Sequence, residues 1–173
     1  MSAEKPSIIF GRTDPGKRGA LIPTEPPAAV IDTNVLLDWL VFRDPRVAPL
    51  SHAVEARALR WLASPPMRDE LARMLTHSSL ARWKPDRERA LASFDAFATT
   101  CPPPMPSRLH CTDFDDQCFI DLALAQSARW LITHDRALLR LARRARLLGV
   151  EVLTPMLWCA GHDTCADRHR GPP

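Results

Sequence analysis

Two short apolar runs in this chain end on acids in the same way. Ala28-Ala29-Val30-Ile31 stops at Asp32-Thr33-Asn34, and Trp130-Leu131-Ile132 stops at Thr133-His134-Asp135. Neither run alternates apolar with polar residues, so each suits a strand buried on both faces. Strands of that kind belong to parallel sheets, whose crossovers are helices. The intervening sequence supplies them. Helices are expected over residues 35–41, 47–59, 67–75, 117–128 and 136–148, with residues 80–84 continuing the third. Pro85 opens a further helix that buries Leu91, Phe94 and Ala98. Further strands are expected over residues 58–63, 109–111 and 150–153, and a closing turn over 155–158. Strands alternating with helices give an α/β fold with a central, mostly parallel sheet.

The chain has 173 residues, enough for one domain and a tail at either end. The domain is expected over residues 28–158, after a proline- and glycine-rich arm (1–27) and before a polar tail (159–173). With 46% hydrophobic and 25% charged residues, the chain is not of disordered composition. No apolar run approaches the roughly 18 residues of a membrane span, and residues 1–10 lack a signal core. Five irregularly spaced cysteines do not make a disulfide framework, so a reducing cytoplasm is the expected compartment. Tyrosine is absent, which removes a tyrosine nucleophile.

The acids that fall at strand ends or helix starts are Asp32, Glu70, the Asp113/Asp115/Asp116 group and Asp135. Each has an ordinary reading: Asp32 and Asp135 as helix caps, Glu70 as a solvated helix residue, the three aspartates as a helix N-terminus. Together they say more, because a parallel sheet places ligands beyond the carboxyl ends of its strands. Carboxylates gathered there repel one another and call for a cation. Oxygen ligands suit Mg2+ or Mn2+ rather than zinc, and such ions serve phosphodiester hydrolysis.

Four stretches carry a family resemblance. They are Val30-Ile31-Asp32-Thr33-Asn34-Val35-Leu36-Leu37, Arg68-Asp69-Glu70-Leu71-Ala72-Arg73-Met74-Leu75, Asp113-Phe114-Asp115-Asp116-Gln117-Cys118-Phe119-Ile120-Asp121-Leu122-Ala123 and Trp130-Leu131-Ile132-Thr133-His134-Asp135-Arg136-Ala137-Leu138-Leu139. In this order they resemble the PIN-domain ribonucleases, and most of all the toxin components of bacterial toxin–antitoxin pairs. The resemblance covers residues 28–153 and implies a three-layer α/β/α domain. It also implies an acidic pocket of Asp32, Glu70, Asp116 and Asp135 that holds Mg2+ or Mn2+ and hydrolyses RNA, single-stranded or structured. Asp116 is preferred to its neighbours because Phe119, Ile120 and Ala123 follow at helical spacing and leave it at the pocket rim. Asn34 matches a position that holds the first acid's loop, and Thr133 a hydroxyl position beside the last acid. The resemblance further implies a small antitoxin partner and allows a homodimer. The alternative is a catalytically silent PIN-fold module that binds RNA or protein, which the four filled acid positions disfavour. His134 departs from the subgroup, which often has glycine there.

Basic residues are almost all arginine, 20 against 3 lysines, and arginine forks match phosphate. Arg136, Arg140, Arg143 and Arg144 fall on one helical stripe beginning beside Asp135, suited to an RNA backbone or simply to solvent. Trp83, among Arg82, Lys84, Arg87 and Arg89, is expected to pack rather than to stack on a base. Residues 11–17 match the first seven positions of a phosphate loop, but Arg18 replaces its Ser or Thr and Pro15 stiffens it, so it is set aside. Cys159, His162, Cys165 and His169 have zinc-like spacing without an apolar knuckle around them, and an unstructured tail is the expectation. Cys111 and Cys118 are expected to be buried thiols. An aspartate-nucleophile phosphatase would want a second Asp where Asn34 stands.

Overall fold

A computed structural model describes residues 25–162. Five parallel strands form the sheet: β1 (Ala28–Ile31), β2 (Arg60–Ala63), β3 (Ala98–Thr100), β4 (Trp130–Ile132) and β5 (Glu151–Leu153). Their order is β3-β2-β1-β4-β5, so the chain leaves β1 toward one edge and returns to its other side as β4. Ala29, Val30, Leu131 and Ile132 are wholly buried. Adjacent strand residues point to opposite faces, so both faces are covered, and the domain has three layers.

Among the described residues, eight α-helices make the covering layers: α1 (Thr33–Leu37), α2 (Ala48–Glu55), α3 (Pro65–Met74), α4 (Arg87–Phe97), α5 (Gln117–Ala125), α6 (Arg136–Leu139), α7 (Ala142–Leu147) and α8 (Pro155–His162). None of the described helices is long and apolar enough to cross a membrane. The core pairs aromatic rings with aliphatic residues. Trp61 on β2 meets Phe94 of α4 edge-on at 4.7 Å, and Trp130 on β4 meets Trp158 of α8 at 5.8 Å. Arg68 of α3 grips Asp95 of α4 with two hydrogen bonds of 2.6 and 2.7 Å, which fixes orientation more than it adds stability.

Several elements differ from expectation, each for a local reason. Helix α4 ends at Phe97 and Ala98 turns directly into β3, where the sequence reading kept Ala98 on the helix. The β-branched Thr99 and Thr100 favour extension, and Pro102 holds Cys101 out of the helical region. Residues 109–111 form no strand. The side chain of Gln117 stands in for one, donating to Leu109 O at 3.0 Å and accepting from Cys111 N at 2.7 Å. The stretch 136–148 is two helices, because the chain tightens at Leu141, whose N–H bonds back three residues to Leu138 O. A π-helical turn, Asp38–Phe42, widens the end of α1 and stops at Arg43 in the left-handed region. Residues 78–83 make a separate 3-10 turn, and α4 starts at Arg87 with Asp86 as its cap, so Pro85 lies before the helix rather than in its first turn. The expected closing turn is α8, which reaches His162 and stacks that ring on Trp158. In the zinc-like set, Cys159 is buried and His162 bonds Trp158 O, while Cys165 and His169 lie outside the described residues. Residues 11–17 lie outside them too.

Asp121 is a buried carboxylate that the sequence reading left unassigned. Its Oδ1 accepts from Ser107 N at 2.8 Å and Gln117 Nε2 at 2.7 Å, tying the proline-rich 102–106 segment to α5. Asp121→Ala would leave Ser107 N without this acceptor and Gln117 Nε2 with only Leu109 O, and urea unfolding should report a loss of about 1–3 kcal/mol. An unchanged midpoint would show that this loop is held by packing alone.

Candidate active site

The site lies where the strand order reverses, between β1 and β4, at the carboxyl ends of the strands. Asp32 is the first residue past β1, and its N–H continues the sheet by bonding Ile132 O at 3.0 Å. Its side chain is 1% exposed. Oδ1 accepts from Asn34 N at 3.2 Å, and Oδ2 accepts from the Thr133 hydroxyl at 2.7 Å. That hydroxyl in turn accepts from Asp135 N at 2.8 Å. A fully buried threonine thus links the two acids across the reversal point. Asp135 caps α6, where its Oδ1 accepts from Leu138 N at 3.2 Å and from Ala137 N. Both cap readings hold, and both acids also face the cluster.

Glu70 enters from the second turn of α3, which starts directly after β2 on Pro65 and Pro66. Asp116 precedes α5, but its side chain caps nothing. The four acids feel one another. Burial foremost, then the charges of Asp32, Asp135, Asp113 and Glu70, together push Asp116 up to about 7. Burial also raises Glu70, with Asp32 and Asp115 adding to it and Arg73 opposing. Asp32 is raised by burial, against the Thr133 and Asn34 hydrogen bonds.

Such a donor set fits a hard divalent cation: it is oxygen-only, negatively charged, and strained by its own repulsion until a cation relieves it. Among the described residues, no three His, Cys, Asp or Glu side chains stand close enough to form a ready metal group. Mutual repulsion works against such closeness in four like charges.

The other expected residues fall into place unevenly. Asn34 contributes its backbone N–H, while its side chain is exposed. Arg136, Arg140, Arg143 and Arg144 are all exposed, but the break at Leu141 divides them between α6 and α7. Trp83 packs on Phe42 at 4.9 Å and keeps 47% of its surface exposed. Cys111 and Cys118 are half-buried rather than buried. The Cys118 thiol is pushed up to about 12 by burial and by Glu70, Asp116 and Asp121, which removes it as a nucleophile.

Asp113, grouped with Asp115 and Asp116 in the sequence, adds to the cluster's field. His134 Nε2 lies 2.8 Å from Asp38 Oδ2, bracing the loop after β4 against the π-helical turn. No local pattern announces a contact across that sequence separation.

With this geometry established, comparison with known proteins is decisive for the family. The family described as "PIN domain" matches residues 28–137. The chain belongs to the PIN-domain family. Among solved structures, this PIN domain is similar to PAE2754 from Pyrobaculum aerophilum, with a TM-score of 0.51 at 16% identity over 78% of this chain and 88% of that one. It is also similar to VapBC2 from Rickettsia felis, which is bound to a DNA fragment from its promoter. There the TM-score is 0.50 at 14% identity, over 72% of this chain and 98% of that one. Identities this low speak to the fold. No curated protein sequence matches.

The raised carboxyl of Asp116 has a pH consequence. Its folded-state value of about 7 lies above the ordinary 3.8, so folding takes up a proton between those limits. Ionising it therefore costs stability as pH rises through that window, and the cost is complete above about 7. In chelator-treated protein, Asp116→Asn should raise the melting temperature at pH 8, by about 2–4 °C once solvent screening is allowed for. At pH 4 the gain should vanish. An equal gain at both pH values would refute electrostatic crowding as its source.

Proposed function

We propose that this PIN domain is a metal-dependent endoribonuclease and the toxin of a toxin–antitoxin pair. The observation that carries the first part is the buried Asp32, hydrogen-bonded through Thr133 to the Asp135 backbone and facing Glu70 and Asp116. Capping accounts for Asp32 and Asp135 but not for Asp116, and acids gathered beyond the carboxyl ends of the strands cost stability. The toxin reading is supported by the family together with the likeness to VapBC2 from Rickettsia felis.

Asp32, Glu70, Asp116 and Asp135 would hold Mg2+ or Mn2+. A bound ion supplies Lewis-acid polarisation of a phosphodiester and activates water toward attack. The chain's own residues prepare the site. Thr133 and the Asn34 N–H fix the Asp32 carboxylate, so that its remaining lone pairs point consistently into the cluster. Asp116, pushed up to about 7 in the absence of a cation, would give up its proton when a cation binds. The exposed arginines of α6 and α7 offer phosphate contacts beside Asp135. Hydrolysis directed at phosphorus needs no 2′-hydroxyl, so the preference for RNA rests on the family. A small antitoxin and a homodimer complete the proposed assembly.

A catalytically silent RNA- or protein-binding module is the second reading, favoured by the absence of three tightly convergent acids among the described residues. Cleavage of labelled single-stranded RNA in Mn2+ or Mg2+ separates the two. Cutting should stop with EDTA and fall at least 100-fold in Asp32→Asn. Thr133→Val, which removes the buried hydroxyl but keeps its volume, should lower kcat by about tenfold with little change in fold. Folded protein that cuts no RNA with either ion would move the balance to the silent module.

A further inference from the structure

The acidic cluster adjoins an apolar groove of about 570 Å³, walled by Pro103, Pro104, His110, Phe114, Asp115 and Cys118. Asp115 and Cys118 also line the hollow beside Glu70, so the groove and the acidic centre share a wall. Phe114 is 88% exposed, the most exposed large apolar side chain among the described residues. Its backbone is not loose. Asp115 N donates to Asp113 Oδ1 at 3.0 Å, and Gln117 N donates to Phe114 O at 3.2 Å. The turn between Asp113 and Asp116 therefore presents the ring to solvent in a held conformation, two residues from a candidate ligand.

The groove is mostly apolar, with Ser64, Asp115 and Cys118 also in its lining. The side-chain amide of Gln117 is committed to Leu109, Cys111 and Asp121, so it cannot read hydrogen-bonding edges. What the groove offers is the Phe114 ring, the proline faces and the exposed His110. Such a surface suits the face of a nucleobase and tolerates any base, because every base has a π-face. The acidic surroundings oppose a phosphate in the groove itself, which assigns the base to the groove and the phosphate to the centre.

We propose that Phe114 stacks on an unpaired base next to the phosphodiester held at the acidic centre. Phe114 is thus a substrate-binding residue that selects single-stranded over paired nucleic acid, since a paired base cannot reach it. This inference rests on the nuclease reading above.

The test uses the full chain with Mn2+ and a fluorescent single-stranded oligoribonucleotide. A matched set of substrates carries one abasic site at each position flanking the cut. Phe114→Ala should lower kcat/KM on the intact substrate about tenfold, mostly through KM, and Phe114→Trp should restore it. On one abasic substrate the wild type and Phe114→Ala should become equal, because the partner of the ring is gone. Equal rates on the intact RNA, or a Phe114→Ala penalty that persists on every abasic substrate, would overturn the proposal while leaving the nuclease reading intact. The second outcome would fit an apolar surface for a protein partner or a disturbed acidic turn. A wild type that cuts no RNA would bring down both.

Discussion

The hydrogen bond from the Thr133 hydroxyl to Asp32 Oδ2 joins the ends of the two strands that flank the reversal in sheet order. A carboxylate 1% exposed could not stay in that position unpartnered, because burial alone drives it toward protonation. Thr133 supplies the donor and, in the same hydroxyl, accepts from the Asp135 backbone. One side chain thereby sets the first acid and the loop of the last acid relative to each other. The sheet makes this possible: Asp32 N bonds Ile132 O, and Thr133 N bonds Leu153 O, so both loops leave the sheet from fixed backbone positions.

Around that bond the site carries a tension between folding and chemistry. Glu70 and Asp116 arrive from helices that start just after β2 and just before β4, and each is pushed up by burial and by its neighbours. The domain tolerates this because the rest of the sheet is densely covered. The π-helical turn after α1 belongs to the same economy of position. It brings Asp38 to His134 and braces the loop beside Asp135. Phe114, exposed on the turn that carries Asp116, extends the site from charge to an apolar face.

Much of this was legible from the order of residues. The unalternating runs at Val30 and Leu131 announced strands buried on both faces, and the acids at their ends announced where a site would form. The helical spacing of Phe119, Ile120 and Ala123 then narrowed the Asp113/Asp115/Asp116 group to Asp116. The errors have a common origin in competition between local preferences. Ala98 continued a helical pattern until Thr99 and Thr100 drew the chain into β3. Residues 109–111 had strand composition, yet Gln117 took the place of a neighbouring strand. The arginine stripe assumed one continuous helix, and the tightening at Leu141 divided it.

By itself, then, the sequence determined the class of fold, because buried parallel strands leave periodic, local signatures, and it marked Asp32 and Asp135 as acids at strand ends. Only the tertiary structure decided that Thr133 bridges Asp32 and Asp135, that His134 meets Asp38, that Asp121 anchors the proline-rich loop, and that Phe114 stands out beside the cluster. Those are contacts and exposures between segments far apart in the chain. The Thr133–Asp32 and His134–Asp38 contacts depend on how strands β1 and β4 come to lie side by side, and no short stretch of residues encodes that adjacency.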